Sequence, residues 1–216
     1  MTAERVVVGY IHGEHMRPEF HVSLTKITRL SRVAEVVDEI AVRSGPNLSR
    51  GRNMVVTLFL EDHDAPWLFM ADTDMCLPAD CVDRLVSAAD PRDRPVVGGL
   101  CFSENPGGNP PMLPTMYEPV EADGQLVFAR HESWPEDGLV RVTATGAACL
   151  LVHRDALEAV GKTSGCPAAP WFRESVVGDS LIGEDLTFCL RLGAAGIPVY
   201  VATGVRAGHM KTTMLI

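Results

Sequence analysis

The run Trp67-Leu68-Phe69-Met70-Ala71 ends abruptly in Asp72-Thr73-Asp74, and this junction constrains the fold more than any other part of the chain. An apolar strand of this kind is a buried one. A buried strand that delivers carboxylates at its carboxyl end is a standard way to hold a divalent cation beside a phosphate. Side chains in extended backbone repeat every second residue, so Asp72 and Asp74 are expected on one side, facing one ligand. The bland alternative is that they cap the helix expected from Pro78, yet a cap needs one acid placed next to the helix. Asp62-His63-Asp64 has the same spacing and serves as an internal control, because it follows a helix-like run among polar residues.

The flanking sequence supplies the scaffold such a strand needs. Arg5 to Ile11 reads as a first buried strand, and Phe20, Leu24, Ile27 and Leu30 recur after it at helical spacing. Glu35 to Val42 predicts a second strand, Ser44-Gly45-Pro46-Asn47 a turn, and Asn53 to Leu60 a helix. Pro78 suits the first turn of a helix carrying Leu85 and Val86, and Pro95 to Cys101 returns as a strand. Alternation of this kind implies an α/β fold, a mostly parallel central sheet flanked by helices. The pattern breaks between Phe102 and Pro119, where Pro and Gly crowd a loop longer than most connections in compact domains. Beyond it, Leu126 to Ala129, Leu139 to Val142 and Ala147 to Val152 read as strands, and Asp155 to Val160 as a short helix closed by Gly161. Lys162 to Leu181 is a second irregular stretch. A helix from Gly183 through Leu192 and a strand from Ile197 to Val201 precede the tail that carries His209.

A chain of 216 residues suits one domain with a substantial core, and 46% apolar with 22% charged residues is ordinary for a globular enzyme. No segment approaches the run of about 20 apolar residues that a membrane span requires. The amino terminus lacks the regions of a secretion signal, so a cytoplasmic location is expected. Six cysteines, mostly inside apolar runs and without a Cys-x-x-Cys pair, read as buried thiols. A net charge of -9 disfavours long-range attraction to nucleic acid, leaving local basic spots such as Arg50 and Arg52.

Two further groups carry chemistry. Glu184 and Asp185 sit in the first turn of a helix, where the dipole favours acids even without a catalytic role. The irregular segment before them brings Trp171, Phe172 and Arg173, which can line a pocket for a carboxylate acting as general base. His209 stands near Arg206 and Lys211. A lone terminal histidine is usually solvated, although neutral imidazole is acceptable to Mn²⁺.

Taken in order, a strand into Asp-x-Asp, a late Gly-Glu-Asp helix and a His shortly after the last strand resemble the family 2-like glycosyltransferases of the GT-A fold. The resemblance runs from about Val6 to His209. Ser49-Arg50-Gly51-Arg52-Asn53 resembles the Arg-x-x-Asn-type segment before the metal strand of these enzymes, and Thr145 to Arg154 resembles their small-residue strand below the acceptor site. The resemblance implies a single GT-A domain over 1–216, with a nucleotide-sugar half at 1–101, an acceptor half at 102–216 and a small antiparallel element. It implies that Asp74 is a direct metal ligand, that Asp72 partners the donor ribose or the metal, and that His209 is a further ligand. Gly9, Tyr10 and Ile11 would lie against the base and ribose, with Arg52, Asn53 and Thr73 nearby. Asp185 would be the base that deprotonates an acceptor hydroxyl, with Glu184 as the fallback, and a base there implies inversion.

The implied cofactor is Mn²⁺ or Mg²⁺ and the implied donor a nucleotide-diphosphate sugar, with a UDP-sugar first. The chain lacks the Gln-x-x-Arg-Trp-type motif of processive synthases, which favours single transfer to a protein, a small metabolite, a lipid head group or a hydroxymethylated DNA base. Its compact form resembles glycosyltransferases of bacteriophages and bacterial gene clusters. Two other readings stand beside this one. A nucleotidyltransferase also needs carboxylates and Mg²⁺ but calls for a Gly-rich, basic phosphate loop, of which Gly9-Tyr10-Ile11-His12-Gly13 is a poor version. A non-catalytic sugar-nucleotide-binding module would keep the fold without turnover.

Overall fold

A computed structural model describes residues 3–122, 125–178 and 180–211. Strand β1 (Glu4–His12), helix α1 (Pro18–Leu30), β2 (Ala34–Arg43), α2 (Leu48–Asp62) and β3 (Trp67–Asp72) form two strand-helix-strand units, in which β1 pairs in parallel with both β2 and β3. A short β4 (Met75–Cys76), α3 (Cys81–Ala88) and β5 (Val96–Leu100) follow. Next come two antiparallel hairpins, β6 (Phe102–Glu104) with β7 (Met112–Pro114) and β8 (Met116–Ala122) with β9 (Gln125–Arg130). The chain then adds β10 (Leu139–Val142), β11 (Ala144–Thr145), β12 (Cys149–His153) and α4 (Arg154–Thr163). It closes with a hairpin of β13 (Ser175–Val177) and β14 (Ser180–Ile182), then α5 (Glu184–Ala194), β15 (Val199–Arg206) and β16 (Gly208–His209).

The main sheet has the order β10-β15-β5-β12-β3-β1-β2. Since β12 is antiparallel to both β3 and β5, and β10 to β15, the other five strands run one way and place their carboxyl ends along one side. Alternate residues of β3 enter two different cores. Leu68 and Met70 pack with α2, α4 and α5 through Val55, Phe59, Leu157 and Phe188. Trp67, Phe69 and Ala71 pack with α1 and α3 through Phe20, Ile27 and Leu85. Both faces are covered, which is why the run is apolar without alternation. Among the described residues no helix is long and apolar enough to cross a membrane.

Several boundaries differ from expectation, each for a tertiary or capping reason. Helix α2 begins at Leu48 rather than Asn53, because the Asn47 side chain accepts a hydrogen bond from the Arg50 N–H at 2.9 Å and closes the first turn. Pro78 lies outside α3, its carbonyl accepting from the Cys81 N–H at 3.1 Å. Gly161 does not end α4, which continues to Thr163; a methyl group there would stand 3.3 Å from the Trp171 ring, so the glycine makes room for the indole. The stretches read as irregular contain the β6–β7 and β13–β14 hairpins and the start of β8, whose pairing is set by partners far from turn signals. Strand β15 extends to Arg206, well past Val201. Cys81, Cys101, Cys149 and Cys189 are buried thiols as expected, whereas Cys76 is exposed and Cys166 half-buried.

Gly9 permits the close seating of α2 on β1, since a Cβ there would collide with Val55 Cγ1 and stand 3.0 Å from Leu68 Cδ1. Gly9→Val is expected to lower stability by about 1–3 kcal/mol through overpacking. Urea unfolding with an unchanged denaturant slope would register it.

Candidate active site

The carboxyl ends of β1, β2 and β3 open onto a cavity of about 640 Å³, walled by Ile11, Arg43, Ser44 and Pro46 and floored by Asp72, Thr73 and Asp74. This is where open α/β sheets place ligands. Thr73 donates its hydroxyl to the Ile11 carbonyl at 3.4 Å and ties the two strand ends together. Regular strand geometry ends at Asp72, and Thr73 and Asp74 form a turn. The two-residue alternation therefore lapses. Both acids line the cavity, but their carboxylates meet different partners.

Asp74 meets the end of the chain. Short strands β4 and β16 pair antiparallel, His209 opposite Met75, and the Met210 N–H donates to the Asp74 carbonyl at 2.8 Å. His209 Nδ1 faces the Phe102 carbonyl at 3.0 Å and donates to it. That leaves Nε2 aimed at Asp74 Oδ2, 2.8 Å away, with Lys211 Nζ 3.4 Å from the same oxygen. A ring nitrogen and a carboxylate oxygen at this separation need a positive centre between them, a proton or a metal ion. The donor set, one imidazole and one carboxylate oriented by a backbone carbonyl and a backbone N–H, suits Mn²⁺, with its other ligands from water and phosphate, better than Mg²⁺, which prefers oxygen ligands. Among the described residues no cluster of three or more His, Cys, Asp or Glu converges, so Asp72 does not complete a three-residue set in this state.

Asp72 meets Arg52. One guanidinium nitrogen donates to Asp72 Oδ1 at 2.7 Å and the other to Glu184 Oε1, with the Phe172 ring 5.9 Å from the guanidinium carbon. Arg52 is 4% exposed. Burial alone would lower its proton affinity, but attraction to Asp72, Glu184 and Asp185 prevails and raises its pKa. Gly51 makes the placement possible, because a side chain there would stand 2.8 Å from both Ile11 and Ser44.

Asp185 follows on α5. It keeps some accessible surface, yet the protein packed around it desolvates the carboxylate and pushes its pKa up; Arg52 opposes the rise and Glu184 and Asp72 add to it. Its Oδ1 accepts from the Leu186 N–H at 2.8 Å, and a methyl group at Gly146 would stand 3.5 Å from Oδ2. A second cavity of about 450 Å³ lies alongside, lined by Ser49, Arg173 and Glu184. Sequence reading missed Thr115 and Tyr117. Thr115 lies beside Gly146, and burial raises the Tyr117 pKa, with Asp185 near enough to add to the shift. No local pattern marks either, since β8 reaches the site through its pairing with β11.

Other expected residues have different employment. Tyr10 points to the opposite face of β1, edge-on to Phe20 and hydrogen-bonded to Glu39 at 3.3 Å, while Ile11 lines the cavity. Asn53 clamps the segment before β13: its Oδ1 accepts from the N–H groups of Trp171 and Phe172, and its Nδ2 donates to the Phe172 and Ser49 carbonyls at 2.6 Å. Trp171 and Phe172 are core residues, and Arg173 is the one of that trio beside Glu184. In the control motif Asp64 pairs with Arg5 on the surface. Asn53→Ala strands buried backbone groups and is expected to cost about 2–4 kcal/mol, read as a lowered urea midpoint.

No protein-family profile matches the chain, and no curated protein sequence does. Solved structures do. A197 from STIV superposes with a TM-score of 0.63 and 16% identity, over 96% of this chain and 86% of that one. GalNAc-T7, crystallised with UDP, GalNAc and Mn²⁺, superposes with a TM-score of 0.64 and 11% identity, over 96% of this chain and 44% of that one. The chain thus spans less than half the length of GalNAc-T7. At such identities the likeness shows the fold, which is GT-A-like.

Proposed function

We propose that the chain is a metal-dependent glycosyltransferase that moves one sugar from a nucleotide-diphosphate sugar, a UDP-sugar first, to a hydroxyl acceptor. The carrying observation is the Asp74–His209 pair beside a cavity lined by Asp72 and Asp74, with Arg52 bridging from Asp72 to Glu184, the neighbour of Asp185. GalNAc-T7, of the same fold, was crystallised with UDP and Mn²⁺, and the donor set here suits those ligands. The proposed halves, 1–101 and 102–216, divide the site, for Asp72 and Asp74 come from the first and Glu184, Asp185 and His209 from the second. A cytoplasmic setting, which keeps the exposed Cys76 reduced, goes with this reading.

In the proposed mechanism Asp74 and His209 hold the cation, and Asp72 partners the donor ribose or the same cation. When bound, the cation offsets the charge that collects on the diphosphate as the sugar leaves. Ile11 offers an apolar wall to the nucleotide, and Lys211, 3.4 Å from Asp74 Oδ2, adds positive charge at the rim. Asp185 accepts the proton of the acceptor hydroxyl. Its raised pKa strengthens it as a base.

Four outcomes test the reading. Wild-type protein should release UDP from a UDP-sugar with Mn²⁺ and not with EDTA; binding without release would favour a non-catalytic module. Asp74→Ala should abolish Mn²⁺-dependent UDP binding in calorimetry, and tight binding retained by that variant would reject Asp74 as a ligand. Asp185→Asn should spare UDP binding and reduce transfer about 10²- to 10⁴-fold. The base works as the carboxylate, so turnover should fall as pH drops through the Asp185 pKa, which burial raises from the ordinary aspartate value. A flat acid limb would move the base elsewhere.

A further inference from the structure

We infer that Arg52 is a positioning residue that couples the donor cavity to the general base, spanning from Asp72 on β3 to Glu184 on α5 and so fixing where Asp185 stands. The inference rests on the functional reading above, and it assigns Arg52 a role different from contact with the nucleotide. Its planar fork gives one nitrogen to each carboxylate, a geometry that a lysine ammonium does not reproduce. Both of its flanks are immobilised: Gly51 is pressed against Ile11 and Ser44, and Asn53 holds Trp171 and Phe172.

The first turn of α5 depends on such outside support. Its N-cap is Gly183, which has no side chain to cap the helix. Among the described residues, two side-chain hydrogen bonds tie that turn to other elements, the Arg52–Glu184 pair and one of 2.7 Å between Ser175 and Thr187. The second ties the helix to its own hairpin, whereas the first ties it to the metal strand. Around Asp185 stand Glu184 on its own helix, Asp72 on β3, Tyr117 on β8 and Arg52 on α2, of which Arg52 is the cation. A donor or cation that draws on Asp72 changes what Arg52 bears, and the change reaches Glu184 directly. Loss of Arg52 therefore displaces the base and also removes the charge that favours its ionised form.

The test separates this role from donor binding. For Arg52→Lys, UDP affinity in the presence of Mn²⁺ should stay within a factor of about three of wild type while kcat for UDP release falls about 10- to 100-fold. Glu184→Gln, which leaves the Asp72 arm intact, should show a smaller loss of kcat. In protein labelled with ¹³C at aspartate, the Asp185 carboxyl midpoint should move to higher pH in Arg52→Met, and the acid limb of kcat should move with it. If Arg52→Met does not fold, the same displacement, smaller, is expected in Arg52→Lys. Weaker UDP binding at unchanged kcat would make Arg52 a donor contact and overturn the inference, as would an Asp185 midpoint that stays put in the folded variants. Wild-type protein that releases no UDP would instead sink the glycosyltransferase reading, and the ¹³C titration would still decide whether Arg52 governs Asp185.

Discussion

A buried guanidinium held between two carboxylates organises the carboxyl ends of the sheet. Arg52 is nearly sealed from solvent, so its charge persists because Asp72 and Glu184 supply compensation at hydrogen-bond distance. Breaking a buried pair by removing one partner typically costs about 3–5 kcal/mol, so this bridge constrains its surroundings strongly. The glycine before it lets α2 press against β1 and β2, and the asparagine after it fixes the chain that leads toward α5. Three consecutive residues thus join the end of β3 to the helix carrying Asp185.

A second junction is equally non-local. Met75 and Cys76 pair with Gly208 and His209, bringing the last described strand back to the turn after β3. That pairing, with the carbonyl of Phe102 orienting the imidazole, is what brings His209 to Asp74, 135 positions away in sequence. The two junctions explain why neighbouring acids do different work. Asp72 is still in the strand and faces the helix layer of α2 and α5, while Asp74 lies in the turn and faces β16.

The scaffold was readable wherever the hydrophobic pattern was local. β1, β2, β3 and α1 fall close to their expected spans because each buries a continuous run or a stripe of apolar residues. The hairpins at 102–114 and 175–182 were not readable, since strands of three residues are too short to show a period and declare themselves only through their partners. Gly161 shows the same limit at one residue: its place in α4 follows from the Trp171 ring above it, which adjacent sequence does not predict. Among the candidate site residues, Asp72, Asp74, Asp185, Glu184 and His209 were all singled out by motif order, and the structure gathers them near the carboxyl ends of the sheet. Tyr10 and Asn53 were found too, but the structure gives their polar atoms to Glu39 and to the backbone of Trp171 and Phe172.

By itself the sequence determined that a two-sided sheet would form and that acids would stand at its carboxyl edge, because strand burial and side-chain alternation are properties of short segments. Tertiary structure alone decided how those acids are paired. Charge compensation depends on distances of about 3 Å between groups that the chain brings together only when helices and strand ends are packed. The guanidinium between Asp72 and Glu184, and the imidazole beside Asp74, are results of that packing.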